Sequence, residues 1–145
     1  ENMPVFSTLT DLQKAIQLFN KHAYNAGFEF KVYTSDEYCL YIQASFDFGY
    51  YVNVDIECRE VFYTNISPNA SWPDAWHADQ LFLLNDDELE NIIDFKEIEI
   101  PERKTVFGFV FNITGKENYF INGTVICSSL YINWRYPERN TEYEL

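Results

Sequence analysis

Residues 28–58 read FEFKVYTSDEYCLYIQASFDFGYYVNVDIEC, and their apolar side chains return at every second position. Phe28, Phe30 and Val32 alternate with Glu29, Lys31 and Tyr33. After a turn signal at Ser35-Asp36-Glu37, the residues Tyr38, Leu40, Ile42, Ala44 and Phe46 share one face over 38–46. Asp47-Phe48-Gly49 breaks the run. Over 50–58, Tyr50, Val52, Val54, Ile56 and Cys58 then oppose Tyr51, Asn53, Asp55 and Glu57. A period of two is a strand with one face on a core and one toward water. Short turns make such neighbours antiparallel. The third strand is expected to continue or restart through Val61 and Tyr63.

Upstream the period lengthens. Leu9, Leu12, Ile16, Phe19 and Ala23 recur at intervals of three and four, which predicts a helix over 8–26. Thr10 and Gln13 offer a capping box, and Gly27 a stop. Downstream, residues 64–78 are punctuated by Pro68 and Pro73 and read as a loop that nevertheless carries Trp72 and Trp76. Gln80–Leu84 suits a short strand. Asn85 caps an expected short helix over Asp86–Ile93, its first turn acidic where the macrodipole favours carboxylates. Residues 97–101 read as extended or loop. Residues 105–113 are apolar on both faces, as a central strand would be, and 119–134 supplies one or two more strands. The whole is α+β: an N-terminal helix followed by a mainly antiparallel sheet, with a short second helix near residues 86–93. At 145 residues it fits a single domain over 1–145.

Chemistry-bearing motifs are sparse. His22 and His77 with Cys39, Cys58 and Cys127 show no zinc spacing, so no metal is expected. Asp86-Asp87-Glu88 lacks the alternation and glycine of a calcium loop. There is no phosphate loop and no nucleophile elbow, so no cofactor or catalytic residue is assigned. Asp55 and Glu57 share a strand face at a separation of roughly 7 Å from strand rise. That spacing keeps open a small carboxylate-dependent hydrolase. No apolar run reaches membrane-span length. Three cysteines make a poor disulfide framework and suit free thiols in the cytoplasm. Four Asn-x-Ser/Thr sequons, at Asn65, Asn69, Asn112 and Asn122, keep open a secreted, glycosylated recognition domain.

Charge is the most informative quantity. The net is −13, which disfavours nucleic acid and anionic membrane as partners. Residues 1–31 hold three acids and three bases; 96–145 hold seven acids and six bases, a net of −1. Residues 32–95 hold thirteen acids against Arg59 alone, a net of −12. Clustered acids beside aromatics suit a surface that meets a basic protein. The candidate contacts are Asp55, Glu57, Glu60, Trp72, Asp74, Trp76, Asp79, Asp86, Asp87 and Glu88.

The stretch WPDAWHADQLFLL at 72–84, followed after Asn85 by DDELE, sits in a small acidic α+β chain. In size, charge and layout the chain resembles the immunity proteins of bacterial polymorphic toxins, particularly those of contact-dependent growth inhibition. The resemblance implies a cytoplasmic, non-enzymatic inhibitor that forms a 1:1 complex with a basic toxin domain, such as a nuclease. It carries no individual residue role across.

Overall fold

A computed structural model describes residues 5–26, 29–35, 38–45, 52–66, 80–112, 120 and 123–135. The elements run β1 (Val5–Phe6), α1 (Leu9–Ala26), β2 (Glu29–Ser35), β3 (Cys39–Ser45), β4 (Val54–Thr64), β5 (Gln80–Leu83), α2 (Asp86–Phe95), β6 (Phe107–Asn112) and β7 (Thr124–Trp134). They form one sheet in the order β2-β3-β4-β7-β6-β5, with β1 pairing β7 beside β6. Every pairing is antiparallel.

The period-two reading places β2, β3 and β4, with two differences at β4. That strand starts at Val54 rather than residue 50, though it runs on through Val61 and Tyr63 to Thr64 as expected. Asn53, expected on the wet face, is buried instead: its N–H donates to Ala44 O and its carbonyl accepts from Arg135 N. The run past Cys58 survives as strand because it bulges. Glu60 takes a φ of 54° and the register against β7 slips between Val61 and Tyr63. One extra residue in a strand of this kind re-aims side chains and sharpens the twist.

Inward side chains build the main core: Phe30, Val32, Leu40, Ile42, Ala44, Val54, Ile56 and Cys58 from β2–β4, with Phe109, Phe111, Val125, Cys127, Leu130 and Ile132 from β6 and β7. The stripe Leu12, Ile16 and Phe19 of α1 packs into it, while Leu9 stays 52% exposed. The helix is capped by Thr8, whose hydroxyl accepts from Asp11 N, rather than by the Thr10–Gln13 box. β1 has too few residues to carry a periodic signal, and it was not expected.

The sheet is strongly curled. Between β2 and β6 lie three strands, so a flat sheet would hold them roughly 19 Å apart at the usual strand spacing. Yet the rings of Phe30 and Phe111 meet edge-to-face at 5.2 Å, and Phe19 stacks on Phe30 at 5.6 Å. Side-chain reach covers only part of the difference, and curvature closes the rest.

β6 is buried on both faces, as expected of a central strand. Phe109 and Phe111 point into the main core, while Val110 joins Leu84, Ile92 and Ile126 in a second core on the opposite face. α2 covers that second core through Leu89, Ile92 and Ile93. Gly108 lies buried beneath it; a Cβ there would stand 2.7 Å from Leu84 Cδ1. The wholly buried Leu81 in edge strand β5 has its outward backbone capped by α1: Asn20 Nδ2 donates to Leu81 O at 2.8 Å, and Leu81 N donates to Asn20 Oδ1 at 2.9 Å. One side-chain amide thus replaces a neighbouring strand at that residue.

Replacing Asn20 by Ala strands a buried donor and acceptor together, and should cost about 1–3 kcal/mol. Gln17→Ala, on the exposed part of the same helix, should stay within about 0.5 kcal/mol. Urea unfolding of the two variants checks this; equal midpoints would contradict the capping role.

Candidate partner-binding surface

The outward side chains of β3, β4 and β7 form a polar grid. In register, Tyr41, Glu57 and Tyr131 make one cross-strand row, and Gln43, Asp55 and Asn133 the next. Tyr41, Gln43, Asp55, Glu57, Tyr131 and Arg135 line a concavity of about 280 Å³. Its carboxylates are occupied. Arg135 grips Asp55 bidentately, Nε at 2.6 Å from Oδ2 and Nη2 at 2.9 Å from Oδ1, and Gln43 adds a bond at 3.3 Å. Arg59 donates to Glu57 at 3.1 Å while its guanidinium lies 4.9 Å from the Tyr131 ring centroid. Asp55 and Glu57 are therefore brought together, as their spacing implies, but each is matched to its own arginine. Two negative and two positive groups leave this patch balanced.

Glu60 is neutralised as well. At the β4 bulge its Oε2 lies 2.7 Å from Lys104 Nζ, which ties the segment after α2 to the sheet. That hydrogen bond, assisted by the ammonium charge, holds the Glu60 carboxyl below the ordinary glutamate range.

The α2 segment is different. Between Asp86 and Glu102 the sequence holds eight acids and one base, Lys96, a net of 8 − 1 = 7 negative charges. Glu88 serves the fold: it and Asn85 form a capping box, Glu88 N to Asn85 Oδ1 at 2.8 Å and Asn85 N to Glu88 Oε1 at 2.9 Å. Asp86, Asp87, Glu90, Asp94, Glu97, Glu99 and Glu102 are exposed. None of them makes a salt bridge among the described residues.

The far end of α2 breaks local rules. The helix closes with Ile98 N donating to Ile93 O and Glu97 N to Asp94 O, and Glu97 adopts a φ of 53°. That is the left-handed position where glycine is the usual residue. Asp94 and Glu97 also lie at the negative end of the helix dipole, which favours cations. In the same turn Phe95 is 73% exposed, meeting Phe120 edge-to-face at 5.7 Å and Lys96 at 5.6 Å.

Of the ten contacts expected from sequence, Asp86, Asp87 and Glu88 therefore fall on this acidic helix, and Asp55, Glu57 and Glu60 on internally matched positions. Trp72, Asp74, Trp76 and Asp79 lie outside the described residues. Glu90, Asp94, Phe95, Glu97, Glu99 and Glu102 join the surface without having been singled out. Asn65, a sequon residue, accepts from the N–H of buried Thr124 at 2.8 Å, while the Asn65 N–H donates to Thr124 O at 3.2 Å. Cys39, Cys58 and Cys127 are free thiols, and burial raises the Cys58 thiol well above the usual cysteine range. Among the described residues no helix is long and apolar enough to cross a membrane. In comparisons with protein-family models, curated proteins and solved structures, nothing matches this chain.

Because the Glu60 carboxyl is depressed in the folded chain, its contribution is present above the unfolded carboxyl value and lost as pH falls through the folded one. Glu60→Gln should therefore lower unfolding stability slightly at neutral pH, by about 0–1 kcal/mol as for an exposed pair, and with it the melting temperature. The gap from wild type should close below the usual carboxylate range. Melting curves from neutral to acidic pH check this, and a gap that widens with acid would contradict the pairing.

Proposed function

We propose that the chain is an immunity protein that binds and neutralises a basic toxin domain, such as a nuclease, through the acidic face of α2 and the residues that follow it. The partner reading comes from the family resemblance, and the placement of the surface comes from the distribution of unmatched charge. Elsewhere on the described surface, carboxylates such as Asp55, Glu57 and Glu60 are matched by the chain's own cations. Along α2 they are not.

The observation that carries this reading is the far end of α2. Glu97 stands where glycine would fit at less strain, Asp94 opposes the helix dipole, and Phe95 projects between them into solvent. Each choice is locally unfavourable for folding, and local rule-breaking of this kind collects at functional sites. An exposed aromatic ringed by unmatched acids has the make-up of a protein-binding centre. The ring supplies an anchor that gains by desolvation, and the carboxylates steer a cationic partner. The toxin's own substrate, a polyanion, would demand a basic cleft that such a face complements.

Stability and binding should therefore move in opposite directions. Glu97→Gly relieves the left-handed strain and should raise unfolding stability by about 1 kcal/mol, yet weaken binding to the toxin domain encoded beside this gene. Phe95→Ser should cost no more than about 1 kcal/mol of stability, through the edge-to-face contact with Phe120, and should cost at least about 2 kcal/mol of binding if the ring is the anchor. Calorimetric titration with the purified toxin domain tests both. Wild-type affinity in both variants would remove α2 from the interface, and the absence of any toxin domain beside the gene would undercut the immunity assignment.

A further inference from the structure

A second feature lies on the other side of the β5–α2 junction. Asn20 occupies the outward backbone of Leu81 alone. In an antiparallel edge strand the groups that point outward belong to alternate residues, so the next outward pair after Leu81 is that of Leu83. The pairing agrees, because Leu84 N donates to Gly108 O and thereby turns Leu83 away from β6. No described residue supplies a partner to the Leu83 N–H or carbonyl. Beside it runs a groove of about 420 Å³ between α1 and the end of β5, lined by Leu9, Gln13, Ile16, Gln17, Leu83 and Asp86 among others. That volume is within the range of binding pockets.

Gln13, Gln17 and Asn20 lie on one stripe of α1, at intervals of four and three. Asn20 reaches the strand edge at Leu81. Gln13 and Gln17 flank the next open position, exposed and with no side-chain hydrogen bond among the described residues. The floor is apolar, through Ile16, Leu83 and the half-exposed Leu9. The mouth is acidic: Asp86 lines it and Asp87 follows. The capping box already satisfies the N–H of Glu88, and with three carboxylates in the first turn this helix end does not present itself to an anion.

We infer that this groove takes a short, extended, basic segment of the partner protein, which pairs its backbone with Leu83 as the Asn20 amide pairs with Leu81. Strand addition to an open sheet edge is a recurrent mode of peptide capture, in which the main chain supplies affinity and flanking pockets supply selectivity. Asn20 blocks the edge one step further on, so the segment pairs at Leu83 and then ends or turns away. Gln13 and Gln17 offer donors and acceptors to its free side, and Asp86 and Asp87 to its cationic side chains. The basic character of the occupant rests on the immunity reading above; the groove and its open strand edge do not.

The probe is a capped pentapeptide of alternating Lys and Val, titrated into the isotope-labelled full chain and followed by amide NMR. Saturable shifts are expected at the Leu83 amide and the Gln13 and Gln17 side-chain amides, with slower hydrogen exchange at Leu83. The matching Ser–Val peptide should bind about tenfold more weakly, and Gln17→Trp, which fills the groove from an exposed position, should weaken the Lys–Val peptide by about tenfold or more. Gln13→Trp repeats the test from the other end should Gln17→Trp perturb the fold. Three results would overturn the inference: no saturable binding up to about 1 mM, equal binding of the two peptides, or shifts centred on Glu90 and Phe95 that persist in the filled groove. None of these measurements uses the toxin domain, so they separate failure of the groove from failure of the immunity reading.

Discussion

The pairing of β4 with β7 is the constraint on which the rest of the molecule hangs. Residues 54–64 lie against 124–134 over their whole length, so the chain must close a long loop before its central ladder forms. Once formed, that ladder fixes two faces. Val54, Ile56, Cys58, Leu130 and Ile132 point inward to α1, while Asp55, Glu57, Arg59 and Tyr131 point outward. Everything else is attached at its flanks: β3 and β2 on one side, β1, β6 and β5 on the other. The curl that brings Phe30 to Phe111 lets one helix cover the inner face of a sheet this wide.

The outer face is divided by the same ladder. Over its β6 half, apolar side chains demand cover, and α2 provides it. Over its β3–β4 half, the chain supplies its own counter-charges, so that face needs no cover. The acids of α2 are thereby left as the unmatched part. A solvated acidic helix could be no more than a solubility device. The far end argues otherwise, because soluble charge can be placed at many positions that do not strain a helix terminus.

Much of this was legible in the residues. Periodicity located β2, β3, the core stripe of α1 and the double burial of β6, because those signals are local and strong. Asn85, with the acids that follow it, announced the start of α2; the return bond from Glu88 that completes the capping box was not read from the residues. Three things were not legible. β1 is two residues long and owes its existence to a neighbour 131 − 5 = 126 positions away, since Val5 pairs with Tyr131. The ion pairs Asp55–Arg135 and Glu60–Lys104 join residues far apart in sequence, so a charge map by windows counted their acids as surplus and their bases as belonging elsewhere. A window boundary at residue 95 also cut the acidic run that continues through Glu97, Glu99 and Glu102. Phe95 was not singled out, because only the position of the core shows that it faces water.

The charge account stands or falls on how encounter with the proposed toxin domain responds to salt. Unmatched acids on one helix should steer a basic partner, and steering of that kind is worth 10–10³ in association rate at low ionic strength. Stopped-flow measurement of the association rate, for the wild type and for Asp86→Asn/Asp87→Asn/Glu90→Gln/Asp94→Asn, tests it most directly. The account predicts a steep fall with added salt for the wild type and a clearly shallower one for the variant, whose segment from Asp86 to Glu102 keeps a net of 7 − 4 = 3 negative charges. Equal slopes for the two proteins would contradict it.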